Sequence, residues 1–202
     1  IYIIDHEDSF TWNVVHQFSA FDEVYCSNYF EIDTKKLNKA NTIVFSPGPG
    51  SPSDYPLTSK IYKRYKGKKK IIGICLGFQQ ILYCENAKII KQNKIFHGYQ
   101  SEVKVVSKGS IFSKYEKFKV GRYHSLKLKE PFKSKNFQIT MRSKESNVAM
   151  AFENQKDDVY GFQFHPESFL TTNGKILIKK ILQSKSCLLY TSDAADELSR
   201  VV

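Results

Sequence analysis

Residues 71–79 read Ile71-Ile72-Gly73-Ile74-Cys75-Leu76-Gly77-Phe78-Gln79. A run of β-branched residues ends in a cysteine flanked two residues away on each side by glycine, and a helix pattern begins at once. This is the thiol counterpart of the G-x-S-x-G nucleophile elbow, a strained strand-to-helix turn with no room for side chains at its flanks. A helix N-terminus behind such a turn favours a thiolate and gathers backbone N–H groups beside it. Taken alone, the window also fits a buried structural cysteine. Cys26 and Cys84 lack this frame and read as packing residues.

Outward from the elbow, the first half of the chain alternates short apolar runs with amphipathic stretches. Strands are predicted at residues 2–4 (ending at Asp5), 23–26, 42–45 and 70–74. One helix carries Phe10, Val14, Val15 and Phe18, with Asp8 or Ser9 as its cap, and others cover 57–65 and 78–83. Between them Ser46-Pro47-Gly48-Pro49-Gly50-Ser51-Pro52 forbids both helix and regular ladder. This alternation specifies an α/β fold, a single domain with a mainly parallel central sheet flanked by helices. The second half differs. Segments near 102–106, 118–120, 126–128, 137–141, 148–152 and 159–164 are strand candidates without intervening helices. They predict an antiparallel extension and a last sheet strand ending at Phe164. Residues 174–183, with Ile176, Leu177, Ile178, Ile181 and Leu182, form a closing helix. The domain is placed at residues 1–184. Residues 185–202 turn from lysine-rich to Ala/Asp/Ser-rich and resemble translated sequencing-adapter sequence, so they are set apart as an atypical tail whose nativeness the sequence leaves open.

The 202 residues suffice for one domain with a real core, and 41% hydrophobic and 25% charged residues describe an ordinary folded chain. No apolar run spans a membrane and no secretory signal is read. The four cysteines show no CxxC spacing, which argues against a structural zinc site, and a reduced, cytoplasmic setting is expected. The net charge of +11 raises the question of nucleic acid. The excess is almost all lysine, thinly spread, with arginines only at 64, 122, 142 and 200. Arginine forks are what base and phosphate recognition draws on, so the charge is read as a solvated face and no nucleic-acid partner is expected.

A thiol nucleophile needs a base. Of the five histidines, His165 stands just beyond a strand in Phe162-Gln163-Phe164-His165-Pro166-Glu167, where α/β sites gather. Pro166 sets the chain direction so that Glu167 can lie beside His165 and orient it, as the third group of a triad does. His6, His16 and His97 read as loop or helix-face residues. The loop 46–52 is either a stiff connection or, through Gly48 and Gly50, a source of main-chain N–H groups for an oxyanion.

Three blocks in order, Ser46-Pro47-Gly48-Pro49-Gly50, Gly73-Ile74-Cys75-Leu76-Gly77-x-Gln79 and Phe164-His165-Pro166-Glu167-Ser168, resemble the class I (triad-type) glutamine amidotransferases. Ile4-Asp5-x-x-Asp8-Ser9-Phe10-Thr11-x-Asn13 and Gly121-Arg122-Tyr123-His124-Ser125-Leu126 are similar to the small glutaminase subunits of anthranilate synthase and aminodeoxychorismate synthase. The resemblance implies a flavodoxin-like fold and hydrolysis of L-glutamine to glutamate and ammonia. It implies Cys75 as nucleophile, His165 as proton carrier and Glu167 as its partner, with the oxyanion on the N–H groups of Gly48 and Leu76. Gly48, Pro49, Gly50, Leu76, Gln79, Ser125 and Leu126 are then expected to line the glutamine site. No metal or cofactor is implied in this subunit. Magnesium is expected on a separate, chorismate-binding synthase subunit. Ammonia passed there serves anthranilate (tryptophan) synthesis, with 4-amino-4-deoxychorismate (folate) synthesis or a non-catalytic regulatory subunit as alternatives. Two departures stand out: the family usually has His where Phe78 stands, and Asn-Tyr where His6-Glu7 stand. The first follows the elbow and is expected to leave activity intact. The second is expected to bear on the partner-facing surface or on local capping.

Overall fold

The computed structural model describes residues 1–113 and 116–184; the predicted tail at 185–202, with Cys187, lies outside them. The chain runs β1 (Tyr2–Asp5), α1 (Thr11–Ser19), β2 (Tyr25–Asn28), α2 (Thr34–Lys39), β3 (Thr42–Phe45), α3 (Pro56–Tyr65), β4 (Lys70–Ile74) and α4 (Leu76–Cys84). It continues with β5 (Ile89–Lys91), β6 (Tyr99–Val105), β7 (Lys117–Arg122), β8 (Leu126–Leu128), β9 (Gln138–Ser143), β10 (Ala149–Asn154), β11 (Val159–Phe162) and α5 (Gly174–Gln183). Nine strands make one sheet in the order β2-β1-β3-β4-β11-β10-β9-β6-β7. The pairs from β2 through β11 are parallel and those from β11 to β7 antiparallel. The parallel half therefore has the doubly wound order, with its last strand supplied after a long antiparallel excursion.

Strand alternation sorts the core into two layers. Ile3, Val44, Ile72 and Ile74 face α1 and α5 through Val14, Phe18, Leu177, Ile178 and Ile181. Tyr2, Ile4, Ile43, Phe45 and Ile71 face the other way, against Leu37, Ile61, Tyr62, Phe78 and Ile81. The inner parallel strands β3, β4 and β11 are buried on both faces, as helix-covered parallel sheets are.

The structure corrects several boundaries. The second strand lies at Tyr25–Asn28 rather than 23–26, and the strand read to Phe164 ends at Phe162. The helix read from residue 78 starts at Leu76, immediately after the cysteine. Residues 126–128 do not join the extension; they pair with β5, a strand the sequence left unread, in a separate two-stranded ribbon. Helix α2 was also missed. Its six residues bury only Leu37, too little for a periodic signal, although Asp33 caps it by accepting from the Lys36 N–H. At α1 neither Asp8 nor Ser9 is the cap: Phe10 holds that position without a side-chain hydrogen bond, and Asp8, two residues earlier, accepts from the Phe10 N–H at 2.8 Å.

Two buried polar groups fasten the elements that carry the site. Lys70, at the start of β4, donates from Nζ to Asp158 Oδ1 at 2.9 Å, to Ile181 O at 2.8 Å and to Ser184 Oγ at 2.9 Å. One ammonium thus ties β4, the turn before β11 and the end of α5.

The second is His6, which lies in the loop between β1 and α1 as read, but buried rather than at the surface. Its side chain is wholly buried beneath loop 46–50. The His6 N–H donates to Ser46 Oγ at 2.9 Å. Ser46 Oγ itself donates to Pro47 O at 2.6 Å, so the ring nitrogen Nδ1, 3.3 Å away, is the donor of that contact. Nε2 then accepts from Thr58 Oγ1 at 2.9 Å. Tyr55 packs edge-on against the ring, 4.8 Å between centroids. Burial lowers the His6 pKa to about 4, against smaller raising effects of Ser46 and Asp5. The departure at position 6 therefore concerns the underside of the loop; Glu7, exposed at φ 62°, donates its N–H to Asp5 Oδ1 at 2.8 Å and is the local capping part.

Replacing Asp158 by Asn keeps a residue that tolerates the local φ of 57° and removes only the charge. It leaves the Lys70 ammonium uncompensated, with an expected loss of about 3 kcal/mol in urea unfolding. For His6, the unfolded chain protonates below the ordinary value of 6.5 while the folded one resists to about 4, so acidification across that window favours unfolding. Wild type is expected to lose roughly 3 kcal/mol more than His6→Asn over the same pH range, compared by urea titrations at each pH.

Candidate functional site

Cys75 sits between β4 and α4 at φ 51° and ψ −99°, a conformation that L-residues rarely adopt. The flanking glycines are obligatory. A Cβ on Gly73 would lie 2.4 Å from Gly77 O, and one on Gly77 would lie 2.2 Å from Phe45 O. The first turn of α4 therefore rests directly on the backbones of β3 and β4. The Cys75 N–H is held by Phe162 O at 2.8 Å, which draws the end of β11 against the elbow.

Beyond β11 the chain places His165. Its N–H donates to Gly121 O at 3.0 Å, and its carbonyl accepts from Thr171 Oγ1 at 2.6 Å. The Glu167 carboxylate reaches back to His165 Nδ1, with Oε1 at 2.6 Å. Both side chains are shut away from water, with 2% and 0% exposure. Phe10 and Tyr123 pack on the imidazole with centroids at 5.6 and 4.9 Å. Burial pulls the His165 pKa down, but Glu167 and Cys75 outweigh it and hold the ring well above the usual imidazole value. Nδ1 is thus engaged by the carboxylate, while Nε2 has no hydrogen-bond partner and is open to a proton from elsewhere. Cys75 is 6% exposed. A thiol, an imidazole that prefers to be protonated and a carboxylate behind it form the constellation for nucleophilic acyl chemistry.

The remaining predicted residues fall around this centre to different degrees. Gly48 is wedged in place: a Cβ would meet His6 Cβ at 2.5 Å and Leu76 Cδ2 at 2.6 Å. This brings loop 46–50 against the first residue of α4, whose N–H lacks an intrahelical acceptor. Pro49 O accepts from Tyr55 Oη at 3.0 Å, and Gly50 adopts φ 70°. Gln79 is buried, its N–H on Cys75 O at 3.1 Å. Ser125 and Leu126 follow Tyr123 in the chain. Their carbonyls hold the Gln92 N–H at 2.9 Å and His124 Nδ1 at 2.8 Å. Phe78 turns into the core against Phe152, 5.1 Å between centroids. Burial pushes the Cys26 thiol up to about 11 and raises that of Cys84, which makes both poor nucleophiles.

The sequence reading passed over Gln163. It is wholly buried, accepts from Gln79 Nε2 at 3.1 Å and directs its own Nε2 at Cys75 Sγ, 3.8 Å away. The available signal was an amide set between the two core aromatics Phe162 and Phe164. Among the described residues, no helix is long and apolar enough to cross a membrane, and no group of three His, Cys, Asp or Glu side chains is placed to hold a metal ion.

Comparison with known proteins gives the family. The chain is 37% identical over 184 residues to an anthranilate synthase component 2 of Lactococcus lactis, covering 90% of this chain and 93% of that one. It is 34% identical over 186 residues to an aminodeoxychorismate synthase component 2 of Klebsiella aerogenes, covering 90% and 98%. Among solved structures, a glutamine amidotransferase from Thermotoga maritima superposes with a TM-score of 0.66 at 17% identity, over 82% of this chain and 75% of that one, a likeness of fold. The family model for glutamine amidotransferase class-I matches residues 2–184. This chain belongs to the class-I glutamine amidotransferase family.

Proposed function

We propose that the protein is a glutaminase subunit that hydrolyses L-glutamine and hands the ammonia to a chorismate-aminating synthase, in anthranilate formation for tryptophan. The single observation that carries the reading is the buried His165–Glu167 pair, 2.6 Å apart, gathered with the strained Cys75 elbow into one centre.

In this reading the Cys75 thiolate adds to the side-chain carboxamide of glutamine, its proton having passed to His165 Nε2. The oxyanion is taken by the N–H groups of Gly48 and Leu76. His165 returns the proton to the departing ammonia, leaving a γ-glutamyl thioester, and then activates the water that releases glutamate. Glu167 keeps the imidazole oriented and supports its positive charge. Gly48, Pro49, Gly50, Leu76, Gln79, Ser125 and Leu126 line the substrate site, partly through backbone groups. The half-reaction uses no metal or cofactor of this subunit, and magnesium is assigned to the synthase partner. A cytoplasmic setting suits both thiol and substrate.

Ammonia is mostly protonated at neutral pH and then cannot attack, which is a chemical reason to pass it directly between docked subunits. The relatives named component 2 of two different synthases support a subunit role. The aminodeoxychorismate synthase relative at 34% identity also keeps folate synthesis in view as the second reading.

The test measures glutamate release by wild type and Cys75→Ser, each with and without a chorismate-using large subunit. Activity is expected to rise with the partner and to fall at least about a thousandfold in the variant. Anthranilate or aminodeoxychorismate as product decides between the two readings. No glutamate in any pairing, with the fold intact, overturns the reading in favour of a regulatory subunit.

A further inference from the structure

We propose that Gln163 is a catalytic amide donor: its Nε2–H steadies the Cys75 thiolate, and its Oε1 holds Gln79 in the substrate site. The inference rests on Cys75 being the nucleophile, and it adds to the Cys75, His165 and Glu167 set a residue that touches the reacting sulfur.

The geometry begins with cost. A carboxamide buried to 0% exposure in an apolar layer is unfavourable unless both its ends are bonded. Both are. Gln163 Oε1 accepts from Gln79 Nε2 at 3.1 Å. Its Nε2–H is directed at Cys75 Sγ, 3.8 Å away. The backbone leaves little freedom to change this. Gln163 N–H is held by Met150 O at 2.9 Å, and the adjoining Phe162 and Phe164 are locked in the core. Gln163 is the first residue past β11, on backbone still bonded to β10.

The chemistry suits an amide better than a cation. When the proton moves from Sγ to His165 Nε2, the sulfur gains a negative charge in a nearly dry site. An N–H donor becomes stronger at that moment, because hydrogen bonds to ions exceed those to neutral groups. A lysine or arginine there would also oppose the positive charge forming on His165. An amide stabilises the thiolate while leaving the imidazolium undisturbed. The same side chain fixes Gln79, so the nucleophile and one wall of the glutamine site are aligned by one group.

The experiment follows alkylation of Cys75 by iodoacetamide against pH, with peptide mass spectrometry to separate it from Cys26, Cys84 and Cys187. Gln163→Met and Gln163→Leu both remove the donor with different shapes, and circular dichroism identifies the folded variants. Loss of the donor is expected to move the half-maximal pH of alkylation up by about one unit, so that below it the rate falls about tenfold. In the complex, kcat for glutamine is expected to fall by a similar factor. Profiles of folded variants that superimpose on wild type would overturn the proposal. Alkylation requires no glutamine turnover, so this result stands apart from the fate of the glutaminase reading. If wild type fails to hydrolyse glutamine yet the profiles still shift, Gln163 keeps its role toward the thiol and only the reaction is reassigned.

Discussion

The site depends on one contact without clearance: the first turn of α4 lies on bare backbone. With Gly77 only 2.2 Å short of the Phe45 carbonyl for any added Cβ, and Gly73 equally tight on Gly77, no other residue fits at either position. The approach bends the chain so sharply that Cys75 is carried to positive φ, a strain of about 1–3 kcal/mol. Layers of core on both faces of the parallel strands hold it there. The same closeness puts Cys75 N on Phe162 O, and from that bond the positions of Gln163 and His165 follow.

Three buried histidines show that burial keeps an imidazole neutral unless a carboxylate partner outweighs it. His6, among hydroxyls and aromatic rings, is lowered to about 4. His124 is lowered to about 3 by burial and by Arg122, whose Nε donates to its Nε2 at 3.1 Å. Arg122 is itself wholly buried, stacked 3.5 Å over the Phe96 ring, and burial lowers it to about 10. His165 is as deeply enclosed, yet the Glu167 carboxylate turns its shift upward. Neutral rings hold the loops around the centre in place, and the charged one faces the thiol. A carboxylate two residues along the chain makes the difference.

Much of this was legible in the residues. The G-x-C-x-G window, the alternation of strands and helices and the His-Pro-Glu triplet are local patterns, and each corresponds to a local constraint. A tight turn demands glycine, a helix-covered strand demands an apolar run, and a proline sets the direction of the next residue. Misses occurred where the deciding partner is distant in sequence. His6 is the loop residue it looked like, but its burial was not legible because Ser46 and Thr58, which it bonds, are far along the chain. Residues 126–128 have strand composition, but only the fold reveals that their partner is β5.

By itself, then, the sequence determined the elbow, the parallel α/β half, the antiparallel excursion and the residue types of the centre, because short-range sterics and periodicity specify them. Only the tertiary structure decided that loop 46–50 rests on His6 and Leu76, that Phe10 and Tyr123 pack on His165, and that Gln163 reaches the sulfur. Those contacts join residues separated by tens of positions, and their geometry is set by how β1, β3, β4 and β11 lie side by side. No window of sequence contains that information.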